Sequence, residues 1–198
     1  MNTEKIDVPS TPPPIDFSKQ FLVAMPGMVS GSLADTVIYV CEHNEDGALG
    51  VVINRPTDLS VAELLERVEL PLAEGVPAPE TPVYFGGPVQ TDRGFVLHSP
   101  AGHYSSSIRL GDLALTTSRD VLQEVSAGNG PARIFVTLGY AGWGAGQLEE
   151  EMAQNAWLHV DAKADLIFGV PPGERYQAAL SELGIQNPAM LSSDAGHA

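Results

Sequence analysis

Cys41 and His43 stand two apart in the run TVIYVCE-H. On an extended strand their side chains fall on one face together with Val37 and Tyr39, with Cα atoms roughly 7 Å apart. An imidazolium beside a thiol lowers its pKa and makes a nucleophile, so this pair would suit acyl transfer or thiol chemistry. The plainer alternative is a buried cysteine in a strand core with a histidine at the turn. Glu42 projects to the opposite face and is not placed by spacing as a third member. Neither Cys41 with His43 nor His98 with His103 has a recognised zinc spacing, so no metal site is expected.

Two arginine motifs come next. Asn54-Arg55-Pro56 fixes Arg55 in an extended backbone, because a residue before proline is kept out of the helical region. An arginine aimed in this way suits a carboxylate or phosphate, held bidentately; an ion pair with one of the chain's many acids is the alternative. Arg93-Gly94 repeats the idea, with His98 further along the same run. The stretch from Gly139 to Gln147, GYAGWGAGQ, sets Tyr140 and Trp143 among four glycines. It follows a predicted strand and precedes a predicted helix, where phosphate-cradling glycine loops sit. The pattern is G-x-G-x-G rather than G-x-G-x-x-G, and no P-loop lysine follows, so backbone geometry and close packing explain it better than a nucleotide. No cofactor is expected. Asn54, Arg55, Arg93, His98, Tyr140, Trp143 and Gln147 are the candidates for contact with a ligand or partner. Glu149, Glu150 and Glu151 are accounted for by the positive end of a helix.

The elements that must position these residues are mostly strands. Runs at 21–25, 36–42, 47–54, 83–85, 94–98, 107–110, 113–116 and 133–138 alternate or are rich in β-branched and aromatic residues. An Asp46-Gly47 turn signal joins the second and third as a hairpin. Ser60 and Glu63 form a capping box ahead of the stripe Val61, Leu64, Leu65, Val68, which Pro71 stops. A second helix starts near Ser118, buries Val121, Leu122 and Val125, and ends at Gly128. A third covers 147–154. A fourth covers 172–183 with Tyr176, Ala179, Leu180 and Leu183 inward, then Gly184 as a left-handed cap. The spacing of the strands predicts an α+β fold with a mixed, mostly antiparallel sheet and about four flanking helices. Residues 1–18 read as a flexible Pro-rich tail, 19–186 as a single globular domain with room for two lobes, and 187–198 as a loosely held tail.

Composition bounds the function. The chain has 198 residues, with 25 acids against 10 bases for a net charge of −15. That charge repels a phosphate backbone, so direct nucleic-acid binding is not expected, and any basic patch must be built from very few residues. The single cysteine excludes an internal disulfide and fits a reducing cytoplasm. No apolar run reaches eighteen residues and the N-terminus has no signal-peptide pattern, so neither membrane insertion nor export is expected. No G-x-S-x-G, Ser-x-x-Lys or H-E-x-x-H motif occurs.

Several blocks in order carry a further signal: FLVAMP (21–26), VIYVCEHNEDGALGVVINRP (37–56), GGPV (86–89), RGFVLHSP (93–100), LTTSRDVL (115–122), LGYAGWGAGQLEEE (138–151), NAWL (155–158) and LIF (166–168). With these the chain resembles the bacterial YqgE/AlgH family over about nine-tenths of its length. The resemblance implies an α+β fold with a bifurcated or barrel-like sheet in a cytosolic protein. It implies no reaction, since no catalytic residues are established for that family, although its members are often labelled transcriptional regulators. Two positions depart from the pattern. Val29-Ser30-Gly31-Ser32-Leu33 stands where members usually carry an aspartate, and Tyr176 stands where they usually carry a tryptophan. The expectation is therefore a regulatory module that binds an unknown protein or small molecule; the alternative is an enzyme with a Cys41/His43 thiol site.

Overall fold

One twelve-residue strand organises the molecule, and the sheet divides along it. The computed structural model describes residues 14–193. Strands β1 (Gln20–Ala24), β2 (Val37–Asn44) and β3 (Gly47–Val52) are followed by β4 (Pro56–Ser60), helix α1 (Val61–Arg67) and β5 (Pro82–Phe85). Then come β6 (Val89–Ser99), β7 (Ser107–Leu110), β8 (Leu113–Thr116), α2 (Arg119–Ala127) and the long β9 (Arg133–Gly144). The chain continues through α3 (Gln147–Ala153), β10 (Trp157–Asp161), α4 (Ala164–Phe168), α5 (Arg175–Glu182) and α6 (Ala189–Ser193).

The sheet runs β10-β1-β2-β3-β9-β6-β8-β7 and curls into an antiparallel half-barrel. On one edge of β9, Ala141–Gly144 pair with β3 while Val136–Leu138 pair with β5, the one parallel pairing among the described residues. The other edge pairs with β6 from Arg133 to Leu138 and again at Tyr140. This fork makes the fold α+β with a mixed, mostly antiparallel sheet, as the strand pattern predicts. Of the six α-helices among the described residues, four have seven residues or more.

Alternation of side chains divides the core between the faces. Phe21, Val23, Val37, Tyr39 and Val51 pack on one face under α4 and α5, through Leu166, Ile167, Ala179 and Leu180. Leu22, Ile38, Val40 and Val52 pack on the other under α3, through Leu148. A third cluster joins α1 and α2 to Val83, Val96 and Val136. Side chains buried as fully as Phe21, Leu22 and Ile38 each contribute about 1.5–3 kcal/mol.

The capping box forms in both directions: Glu63 N donates to Ser60 Oγ (3.2 Å), and Ser60 N donates to Glu63 Oε2 (2.8 Å). The predicted fourth helix divides into a 3-10 turn, Pro172–Glu174, and α5. Ile185 N donates to Leu180 O (3.0 Å) beyond Gly184, closing that helix, but Leu183 is over a third exposed instead of inward. Tyr176 is half-buried and donates its hydroxyl to Ala24 O (2.7 Å). Residues 1–13 of the expected N-terminal tail, and 194–198 of the C-terminal one, lie outside the described residues. Phe17, within the expected tail, is buried against His43 and His159.

The glycine stretch is not a loop. It continues β9 through Gly144, leaving only Ala145-Gly146 as the connection to α3. Gly139 has φ +77°, and a Cβ there would stand 2.3 Å from Gly87 O, so close strand approach is what requires glycine. Ala141–Gly144 pair with β3, Tyr140 pairs with Val89 of β6, and Gly144 N donates to Gln147 Oε1, so the stretch is built as strand and not as a phosphate-cradling loop.

Candidate functional site

The end of the β2–β3 hairpin and the end of β9 carry most of the conspicuous side chains, and a β-bulge sorts them. Val40 pairs with Gly50 and Glu42 with Leu49, so Cys41 is an extra residue in the ladder. An inserted residue reverses the alternation beyond it. Cys41 therefore stays with Tyr39 in the core under α4 and α5, whereas His43 turns to the opposite face and packs on Phe17. The expected shared face for Cys41 and His43 is absent for this reason. The Cys41 thiol is 2 % exposed and leans on Tyr39 O (3.6 Å), and burial pushes its pKa well up. That is the environment of an inert thiol.

His43 has a defined tautomer. Phe17 N donates to its Nδ1 (3.1 Å), so the proton sits on Nε2 and is donated to Glu149 Oε1 (2.8 Å). The histidine ties the chain entering β1 to the first turn of α3. It lines a cavity of about 530 Å³ with Ile15, Asp16, Glu45 and Glu149.

On the other face the bulge brings Glu42 into a cleft of about 470 Å³ with Leu49, Val89, Tyr140 and Gly142, while Asn44 and Asp46 complete the rim. Tyr140 is half-buried, its ring edge-on to Phe95 (5.3 Å). Trp143 contributes to the wall, but its indole points into the α3 face: Nε1 donates to Glu151 Oε2 (2.9 Å), which also accepts from Trp157 Nε1 (2.7 Å). Gln147 Nε2 donates to the other carboxylate oxygen (3.0 Å), and Gly144 N donates to Gln147 Oε1 (3.0 Å). Glu151 is thus the anchor of two tryptophans. Its position one turn after Gln147 is the sequence signal that the helix-dipole reading passes over.

The remaining candidates lie elsewhere. Asn54 Oδ1 accepts from Val37 N (2.9 Å) and its Nδ2 donates to Asp35 O (3.0 Å), so its side chain bridges two segments. Arg55 donates to Ala34 O. Arg93 is exposed, donating weakly to Gln90 Oε1 (3.4 Å) above the Phe95 ring (5.8 Å). His98 is fully buried: Nδ1 donates to Pro100 O (2.9 Å) and Nε2 accepts from Thr116 Oγ1 (2.8 Å). Burial keeps it neutral and lowers its pKa, against the Pro100 bond, which works the other way. The structure brings Tyr140 and Trp143 to one cleft, with Gln147 behind; Arg55, Arg93 and His98 do not converge there. No group of acids, histidines or cysteine arranged for a metal occurs among the described residues. No helix there is long and apolar enough to cross a membrane.

One buried charged side chain lies outside the residues that the sequence singles out. Arg175 is 4 % exposed, donates to Val170 O (2.8 Å) and Ile53 O, and lies over the rings of Tyr84 and Phe135.

The family model described as AlgH-like, a domain of unknown function, matches residues 21–188. A UPF0301 protein of Bordetella petrii is 69% identical over 197 residues, spanning 100% of this chain and 97% of its own. One from Ralstonia nicotianae is 59% identical over 186 residues, spanning 93% and 97%. The solution structure of the AlgH protein from Pseudomonas aeruginosa superposes with a TM-score of 0.75 at 47% identity, covering 96% of this chain and 98% of that one. A crystal structure from Corynebacterium diphtheriae, at 19% identity and a TM-score of 0.64, covers 88% and 91% and shares the fold.

Proposed function

Because the chain belongs to the AlgH-like family, we propose that it is a regulatory binding module whose contact surface is the cleft over Tyr140, taking a cationic segment of a protein partner without reading DNA. The observation that carries this reading is the make-up of that cleft: an apolar floor of Leu49, Val89 and Tyr140 under a rim holding Glu42 and Asp46, with no basic side chain in the lining. An aromatic ring beneath carboxylates suits a lysine or arginine, whose stem packs on the ring while its head meets the acids. The net charge of −15 supports the same choice of partner and argues against a DNA backbone. A cytoplasmic site of action is supported by the lone, buried, unpaired cysteine. The thiol-enzyme alternative draws no support from a sulfur walled off from the histidine.

The test is fluorescence anisotropy with a labelled peptide of alternating lysine and leucine. Saturable binding is expected, weakening as salt rises and falling about tenfold on Glu42→Lys with Asp46→Lys. Equal binding by this double variant would show attraction to the acidic surface at large and sink the cleft. A salt-dependent gel shift of short duplex DNA at nanomolar protein would overturn the exclusion of DNA reading.

A further inference from the structure

Ten bases are few in this chain, yet two of them face one opening. Arg109 on β7 and Arg133 at the start of β9 line a cleft of about 520 Å³ together with Ser99, His103 and Asp112. That volume is within the roughly 300–1,000 Å³ of small-ligand sites. The two acidic cavities at the hairpin have no base in their linings, so this cleft is of a different electrostatic kind.

Sheet register explains how it is built. Arg109 lies opposite Ala114, Ala114 opposite His98, and His98 opposite Ile134, the neighbour of Arg133. The arginines thus stand three strand steps apart, roughly 14 Å at about 4.8 Å per step. Arg133 is one residue out of line with Ile134 and so leaves the opposite face from Arg109. Both line the opening because it lies at the end of the sheet, where the close of β6 at Ser99 meets the β7–β8 turn at Gly111-Asp112. The segment after β6 forms the wall between them: Arg109 Nη2 donates to Gly102 O (2.8 Å), which pins that guanidinium at the rim. Arg109 makes no ion pair among the described residues, although acids outnumber bases. Arg133 is stacked over Phe168 (4.9 Å), pairs with the largely exposed Asp165 (3.2 Å) and reaches Ser99 Oγ (3.5 Å). Such an exposed pair contributes about 0–1 kcal/mol and gives way to a better anion.

We propose that this cleft binds a small phosphate ester that carries hydroxyl groups, with Arg109 and Arg133 meeting the phosphate oxygens and Asp112 accepting from a hydroxyl. Arginine forks match phosphate bidentately, and the Ser99 hydroxyl supplies a further donor. Asp112 in the lining disfavours a bare polyanion and selects a ligand that brings donors as well as charge. The site is separate from the cleft over Tyr140 and stands or falls without it.

The experiment is a calorimetric titration of the full chain with ribose 5-phosphate and inorganic phosphate, using sulfate at matched ionic strength as reference. Amide NMR shifts of Gly102 and Gly111 are followed in parallel. Ribose 5-phosphate is expected to bind saturably and more tightly than phosphate, moving those two amides. Arg109→Gln, whose side chain contacts only a surface carbonyl, should weaken binding about tenfold, and Arg67→Gln on α1 should leave it unchanged. Arg133→Gln also removes the Asp165 pair, so Arg109→Gln decides. Absence of saturable binding overturns the proposal, as does equal affinity in Arg109→Gln. So does a single-stranded oligonucleotide that moves the same amides while ribose 5-phosphate does not, which would reassign the arginines to nucleic acid.

Discussion

Replacing Arg175 removes a buried cation that has no carboxylate partner among the described residues. Its Nε and one Nη hold the carbonyls of Val170 and Ile53, and its Cζ lies 5.2 Å from the centre of the Tyr84 ring and 5.5 Å from that of Phe135. The side chain thereby joins α5 to the end of β3 and to β5 and β9. Arg175→Ala leaves two carbonyls without donors, at about 1–3 kcal/mol each, and gives up ring contacts worth about 0.5–2 kcal/mol. Relief of the buried charge offsets part of this; burial already lowers the guanidinium pKa. The net loss is about 3 kcal/mol, or a fall in Tm of about 6–12 °C for a domain of this size. Arg175→Met keeps most of the volume and loses the donors and the cation over the two rings, for about 2 kcal/mol. Urea unfolding at pH 7, followed by the fluorescence of Trp143 and Trp157, measures both. If Arg175→Met were as stable as the parent, the hydrogen bonds would contribute nothing net, and the reasoning would be refuted.

Three further outcomes are expected. Glu151→Ala should cost about 2 kcal/mol and shift tryptophan emission to the red, since both indoles lose their acceptor; Glu151→Gln, keeping one acceptor oxygen, should cost less in the same titration. Cys41 should resist a disulfide-exchange reagent at pH 8 until urea is added, at a rate indifferent to His43→Ala; fast labelling of the folded protein would restore the thiol site. His98 has a folded pKa below its ordinary value, so the unfolded chain binds the proton more tightly. Its contribution is fully present above about pH 6.5 and is lost as pH falls from there through the folded pKa. The slope of stability against pH between 6.5 and 5 should therefore be smaller in His98→Asn, and equal slopes would contradict the assignment.

What the residues disclose by themselves follows from range. The capping box of Ser60 and Glu63, the Asp46-Gly47 hairpin and the left-handed Gly184 cap depend on neighbours within a few positions, and each is found as predicted. The bulge at Cys41 depends on how β3 lines up against β2, which no local pattern encodes, so period-two reasoning placed His43 on the wrong face. Glycine is a poor strand former in isolation, which hid the second half of β9. Only its pairing with β3, and the approach of Gly87 to Gly139, makes a strand of it. Arg175 reads as a surface residue on a short helix, because its partners are carbonyls 5 and 122 residues away. Tyr140 and Trp143 were legible as unusual, but their sharing a cleft with Glu42 and Leu49 was not.

The fork at β9 bears on how the chain is made. Strand β3 ends at residue 52 and β6 at residue 99, yet the strand that pairs with both is complete only at residue 144. At about 5–20 residues per second of synthesis, β3 waits roughly 5–20 s for its neighbour. During that interval its outer edge, and that of β6, present unpaired N–H and C=O groups beside strongly apolar faces, the arrangement that recruits other chains. Truncations before β9 should accordingly collect in the insoluble fraction even though they contain most of the strands. A nascent chain of this protein has reason to be shielded until its last third emerges.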